Sequence, residues 1–206
     1  MTEPAPAISR VRPDQLAMTI AATSRAFWPD PLFGWFARDP PQEHAVLHHF
    51  AGAMIRDALA HGEVNVVEAR GRVAGSASWL PPGTEPPHGM RQVRVTIAAG
   101  RALARGRNRI TGIRLLDKVG RAHPSEPHWY LALLGVDPTF QGQGFGGALL
   151  RRQLTLCDET QTPAFLETQK PDNLPFYERF GFKVTDQLRV GSSPPVWQLW
   201  REPRSG

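Results

Sequence analysis

A chain of 206 residues is long enough for one domain with a substantial core, and a single cysteine, Cys157, rules out an internal disulfide and a cysteine-built metal site. No apolar run approaches the ~20 residues that span a bilayer, and the opening Met1-Thr2-Glu3-Pro4-Ala5-Pro6 has neither a basic nor an apolar leader region. The formal charge of +5 is concentrated at Arg91, Arg94, Arg101, Arg105, Arg107, Arg109, Arg114, Lys118 and Arg121, opposed there only by Asp117; with no recognition motif or stacking aromatic among them, a solvated helical face is expected rather than a nucleic-acid surface. The expectation is a soluble, cytoplasmic protein: one domain over residues 1–206, with residues 1–7 a flexible terminus.

In chain order, Ile8-Ser9-Arg10-Val11-Arg12 alternates in type and stops at Pro13, which reads as a first strand. Asp14 stands as an N-cap for a helix running to about Phe27. Residues 27–36 carry too much proline and aromatic for a regular element, and a second helix is expected from about 41 to 61. Extended runs 63–69 and 73–79, joined through Arg70-Gly71-Arg72, form a hairpin. A proline-rich loop follows, then a mainly helical stretch over 89–122 with a break near Gly106. Strand 128–136, helix 144–159 with Cys157 packed inside it, strand 163–168, short helix 173–179 and closing strands 182–190 and 195–201 complete the chain. The alternation of elements indicates an α/β domain with a mixed sheet flanked by helices.

Between strand 128–136 and the next helix lies Leu134-Gly135-Val136-Asp137-Pro138-Thr139-Phe140-Gln141-Gly142-Gln143-Gly144-Phe145-Gly146-Gly147. Without side chains at Gly144 and Gly146 a ligand can approach the main chain, and the unpaired N–H groups of a helix start favour an anion, so this turn suits a pyrophosphate. A flexible strand-to-helix turn would look the same in isolation. A second feature follows strand 163–168: in Asn173-Leu174-Pro175-Phe176-Tyr177-Glu178-Arg179-Phe180-Gly181-Phe182, Asn173 and Tyr177 share a helical face and can reach one ligand together.

Taken together, Gln141-x-x-Gly144-x-Gly146 and Asn173-x-x-x-Tyr177-x-x-x-Gly181-Phe182 resemble the GCN5-related N-acetyltransferases (GNAT). Within that superfamily the runs Glu126-Pro127-His128-Trp129, Ala164-Phe165-Leu166-Glu167-Thr168 and 173–179 look most like puromycin N-acetyltransferase and its relatives. The resemblance implies a mixed, mostly antiparallel twisted sheet of about six or seven strands with splayed central strands. It also implies acetyl-CoA as co-substrate, no metal, and transfer of acetyl to a primary amine of a small molecule, an antibiotic or an amine metabolite.

By the same resemblance, backbone from Gln141 to Gly147, including Gly142, Gln143 and Phe145, holds the pyrophosphate. Leu134, Gly135 and Val136, with Gly135 easing the strand's distortion, receive the pantetheine arm and the acetyl oxygen. Asn173 contacts pantetheine, and Tyr177 donates a proton to the departing thiolate. Glu167 leads as base for the amine, because by alternation it points away from Leu166 and Thr168; His128 and Glu126 stand as alternatives. Trp28, Phe33 and Trp35, with His128 and Tyr130, are the expected acceptor contacts. Gln143 departs from the pattern, since relatives often carry Arg or Lys there; either a lower affinity for coenzyme A or an arginine elsewhere that substitutes is expected. A protein lysine acetyltransferase and a non-catalytic acyl-CoA-binding domain are the alternative readings, and a monomer or homodimer fits either.

Overall fold

The computed structural model describes residues 6–28, 30–84, 91 and 107–204. Its elements are β1 (Ile8–Arg10), α1 (Leu16–Ala26), α2 (Pro31–Phe36), α3 (Pro40–His61), β2 (Glu63–Ala69), β3 (Arg72–Leu80), α4 (Arg109–Arg121), β4 (Trp129–Val136), α5 (Phe145–Glu159), β5 (Ala164–Thr168), α6 (Leu174–Glu178), β6 (Lys183–Leu188) and β7 (Val196–Arg201). One seven-stranded sheet runs in the order β1-β2-β3-β4-β5-β7-β6. Every neighbouring pair is antiparallel except β4 and β5. This is the mixed sheet flanked by helices that the pattern predicts, mostly antiparallel as the resemblance implies.

The sheet is covered on both faces. Ile20 of α1 and Ile55 and Ala58 of α3 pack with Val64, Leu80 and Leu133, whereas Leu149, Leu150, Leu154 and Cys157 of α5 pack with Ala77, Leu131, Leu166 and Leu199. Cys157 is wholly buried, and burial pushes its thiol up to about 12, which makes it a packing residue rather than a nucleophile. The β2–β3 hairpin closes through Arg70 and Gly71, both at positive φ (53° and 69°), the two-residue turn whose twist matches paired strands. Among the described residues no helix is long and apolar enough to cross a membrane.

Two local readings need correction. Asp14 is not a helix cap: the chain enters α1 through a 3₁₀ turn, Pro13–Gln15, in which the Arg12 N–H donates to Gln15 Oε1 at 2.9 Å. Residues 31–36, expected to be irregular, form α2, because Asp30 accepts from the N–H groups of Leu32 and Phe33 and Pro31 occupies the first helical position, where its missing donor costs nothing. Of the helical stretch expected over 89–122, the described part is α4; residues 92–106, with Arg94, Arg101, Arg105 and the break near Gly106, lie outside the described residues, as do residues 1–5 of the expected flexible terminus.

Gly62 closes α3 against the sheet: a Cβ there would lie 2.1 Å from the Trp79 carbonyl oxygen, whereas one at Gly120 of α4 would meet nothing within 4 Å. Gly62→Ala therefore forces backbone apart and is expected to cost about 2–3 kcal/mol, lowering Tm by roughly 5–10 °C. Gly120→Ala is expected to leave Tm unchanged or slightly raised. Thermal unfolding of the two variants side by side checks this; equal Tm values would show that the Gly62 contact does not constrain the fold.

Candidate active site

The site begins where β4 ends. Asp137, buried at the exit of the strand, accepts from the Thr139 N–H (3.0 Å) and hydroxyl (2.7 Å) through Oδ1, and from Arg25 of α1 through Oδ2 at 2.7 Å. Burial opposes its charge, but the Thr139 and Arg25 donors outweigh it and hold the carboxyl below the ordinary carboxylate range. The following turn is thereby pinned to both β4 and α1. Gly142 and Gly144 then take φ of 76° and 80°, a region L side chains avoid, and added Cβ atoms there would meet no protein atom within 4 Å.

Gly144 is the N-cap of α5, no side chain caps it, and the first intrahelical bond is Ala148 N–H to the Gly144 carbonyl at 3.0 Å. The N–H groups of Phe145, Gly146 and Gly147 therefore lack helical acceptors, and a bound phosphate would satisfy them. The Gln141 side chain turns back and donates to the Val136 carbonyl at 3.0 Å, bracing the turn. Gln143 does not line the cleft that the other turn glycines border.

Beside this turn the sheet opens. β4 and β5 are paired only from Trp129–Leu131 to Ala164–Leu166; β4 then continues along β3 to Val136 while Glu167 and Thr168 stay with β7. The β3–β4 register shifts between Ser78 and Trp79, whose partners are Leu133 and Leu131, so Ala132 is the extra residue of a bulge placed where β4 parts from β5. The distortion is thus centred on Ala132 and not on Gly135. Gly135 serves clearance instead: a Cβ there would come within 2.9 Å of the Ala26 Cβ on α1.

A cleft of about 790 Å³ occupies this opening and borders the turn. Asn173 and Tyr177 line it together, and Asn173 is oriented by donating its amide to the Thr168 hydroxyl at 3.1 Å. Tyr177 is buried among Phe176, Phe182 and the α5 side of the core, and desolvation raises its phenol well above the usual value. Across the cleft the Tyr130 hydroxyl donates to Glu167 Oε2 at 3.0 Å, and Gln198, paired with Glu167 across β5–β7, donates to Oε1 at 3.2 Å. Both oxygens of that carboxylate are thus held, with the side chain on the face opposite buried Leu166 and Thr168.

Residues 22–182 match the model of the acetyltransferase (GNAT) family. The chain belongs to that family. Members transfer acetyl groups, with acetyl-CoA as the general donor. An uncharacterized N-acetyltransferase of Schizosaccharomyces pombe is 32% identical over 80 residues, which span 37% of this chain and 32% of that protein. A solved structure described as histone acetyltransferase HPA2 and related acetyltransferase, from Corynebacterium glutamicum, superposes with a TM-score of 0.73 at 21% identity, covering 98% of each chain. The polyamine N-acetyltransferase of Drosophila melanogaster, which forms N-acetylagmatine, superposes at 0.61 with 14% identity, covering 95% of this chain and 99% of its own. At these identities the superpositions establish the fold.

Within this GNAT scaffold the expected acceptor residues divide. Phe33 and Tyr130 line the cleft; Trp28, Trp35 and His128 do not. Trp28 lies on the surface against His44, and Trp35 packs on Phe36. The wall is completed by Phe36, from the same aromatic run as Phe33, and by Phe27, Phe50, Met54 of α3, and Leu115 and Val119 of α4, which sequence does not separate from ordinary core residues. Asp30 also reaches the cleft, and burial raises its carboxyl despite its capping bonds and nearby Lys170.

His128 is buried behind the cleft. Its Nδ1 lies 2.6 Å from the Glu126 carbonyl, which can only accept, so Nδ1 carries the proton; His123 Nε2, 3.1 Å from His128 Nε2, is then the donor between the two rings. Glu126 is exposed, and neither it nor His128 lines the cleft as Glu167 does. Burial, then the neighbouring His128, lowers His123 from 6.5 to about 4, so between those values the unfolded chain binds more protons and stability falls as pH drops. Urea unfolding of wild type and His123→Asn across that window checks the sign: the wild-type midpoint should fall faster on acidification, and parallel curves would contradict the neutral pair.

Proposed function

We propose that this chain is an N-acetyltransferase that moves acetyl from acetyl-CoA directly to the primary amine of a small molecule with an apolar or aromatic body, in the manner of puromycin-like antibiotics or amine metabolites. The observation that carries the reading is one continuous cleft bordering the glycine turn, the free edge of β4, Tyr177, and the Tyr130–Glu167 pair. Its acceptor end is lined by Phe27, Phe33, Phe36 and Phe50, with Asp30 and Glu167 the acidic members of its described lining. An aromatic wall favours an amine with an apolar or aromatic body over a lysine on a protein surface, which a shallow acidic groove would suit better.

In this reading the amides of residues 141–147 hold the pyrophosphate, and the backbone of Leu134 to Val136, unpaired toward β5, holds the pantetheine arm and the acetyl oxygen beside Asn173. The donor supplies an activated thioester carbonyl. An alkylammonium must lose a proton to attack it, and Glu167, its oxygens aimed by Tyr130 and Gln198, accepts that proton. Tyr177 lies among apolar groups that keep its phenol protonated, so it is able to donate to the departing thiolate. Removing the acid should slow chemistry more than binding.

The test is thiol release from acetyl-CoA across puromycin, arylalkylamines, polyamines, aminoglycosides, amino acids and lysine peptides. Amine-dependent release is expected, highest for amines with an aromatic body. With the preferred amine, Tyr177→Phe is expected to lower kcat by about 100-fold or more at little change in KM. Unchanged kcat across pH in Tyr177→Phe would remove the acid assignment. Coenzyme binding without release from any amine would favour a non-catalytic acyl-CoA-binding domain.

A further inference from the structure

We propose that Asn108 sets specificity for the acceptor amine from outside the cleft: its side chain ties together two helices of the acceptor wall and fixes the space between them. This rests on the acetyltransferase reading above. Leu32, Phe33 and Phe36 of α2 and Leu115, Leu116 and Val119 of α4 line the cleft, and Asn108 does not. The two helices are seated on different supports. Phe33 packs on Phe50 of α3 with ring centroids 5.0 Å apart, whereas Leu115 and Val119 pack with Leu188 of β6 and Val196 of β7, a cluster that α2 reaches through Leu32. Apolar contact of this kind is non-directional and leaves sliding open, whereas hydrogen bonds fix a distance.

Those hydrogen bonds come from Arg107 and Asn108. The last carbonyls of a helix have no partner within it. In α2 that of Phe33 is taken by the Ala37 N–H at 2.9 Å, and those of Trp35 and Phe36 are taken from outside: the Asn108 side-chain amide donates to the first at 3.0 Å and the Arg107 N–H to the second at 2.7 Å. The Arg107 guanidinium adds a bond to the Arg38 carbonyl at 2.8 Å. Asn108 is at the same time the N-cap of α4, its own carbonyl accepting from the Gly112 N–H at 2.7 Å. An asparagine there normally turns its side-chain oxygen to the free amides of its own helix. Here it makes no capping bond; at φ 54° and ψ 27°, a left-handed conformation that asparagine tolerates better than most L residues, its amide meets the end of α2 instead. One exposed residue thus closes one wall helix and opens the other, giving up a local cap for a contact 73 positions away.

The experiment compares wild type with Asn108→Gly and Asn108→Asp, both of which accept a positive φ while removing the donor. Thiol release is measured with the amine that the panel ranks first and with n-butylamine, which has little body for the wall to grip, and hydrogen exchange is followed over residues 32–37. In each variant KM for the first amine is expected to rise about 3- to 10-fold, the loss of one hydrogen bond. Turnover, KM for acetyl-CoA and the n-butylamine kinetics are expected to stay as in wild type, and exchange over 32–37 to quicken. Unchanged exchange in both variants would show that Asn108 does not hold α2. Faster exchange with unchanged KM for the first amine would show that the spacing of the helices does not select the acceptor. An effect in Asn108→Gly alone would assign it to the backbone, and an equal loss of turnover or of acetyl-CoA affinity to a general loosening. Each of these overturns the proposal and leaves the acetyltransferase reading standing. A wild-type chain that releases no thiol with any amine overturns that reading, and the role of Asn108 with it.

Discussion

After Leu131 the backbone of β4 is paired on one side only, and the cleft depends on that parting. β4 stays with β3 as far as the Gly75–Val136 pair, β5 stays with β7, and the bulge at Ala132 supplies the extra twist that lets the halves diverge. An open edge inside a sheet would normally cost the desolvation of its N–H and C=O groups. Here the gap leaves those groups facing a cleft of about 790 Å³, which in the proposed reading receives the pantetheine arm.

Such an opening has to be held, because a sheet with free edges tends to close or pair elsewhere. α1 does much of the holding. It packs on β4 closely enough that Gly135 has no room for a side chain, and its Arg25 grips Asp137 at the start of the glycine turn. α5 covers the other face through Leu149, Leu150 and Leu154, so the amides at its start are aimed by a rigid element. The direction of the turn thus follows from core packing.

The two sides of the cleft provide contrasting environments for their titratable groups. Tyr177 sits among apolar groups that favour its neutral form, whereas Glu167 is held by hydrogen bonds from Tyr130 and Gln198. In the proposed reading the first group donates a proton and the second accepts one, with aromatic walls at one end of the cleft and the glycine turn at the other.

Local pattern determined a good deal of this by itself. The alternating strands, the hairpin at Arg70-Gly71, the glycine turn and the Asn173–Tyr177 spacing were legible because each is set by near neighbours: pleat alternation, positive φ, and the helical repeat. α2 was not, since its proline and aromatic content masks a helix that depends on the Asp30 cap. Nor were the bulge at Ala132, Gln198 behind Glu167, or the place of Phe27 and Phe50 in the acceptor wall. Trp28 and Trp35 looked like acceptor contacts and lie elsewhere, while Phe27 and Phe50, which no pattern singled out, line the cleft. A sequence states which side chains are apolar or charged and which share a face of one element. Which faces then meet around an opening is decided by register and by the packing of elements far apart in the chain, and only the folded structure holds that information.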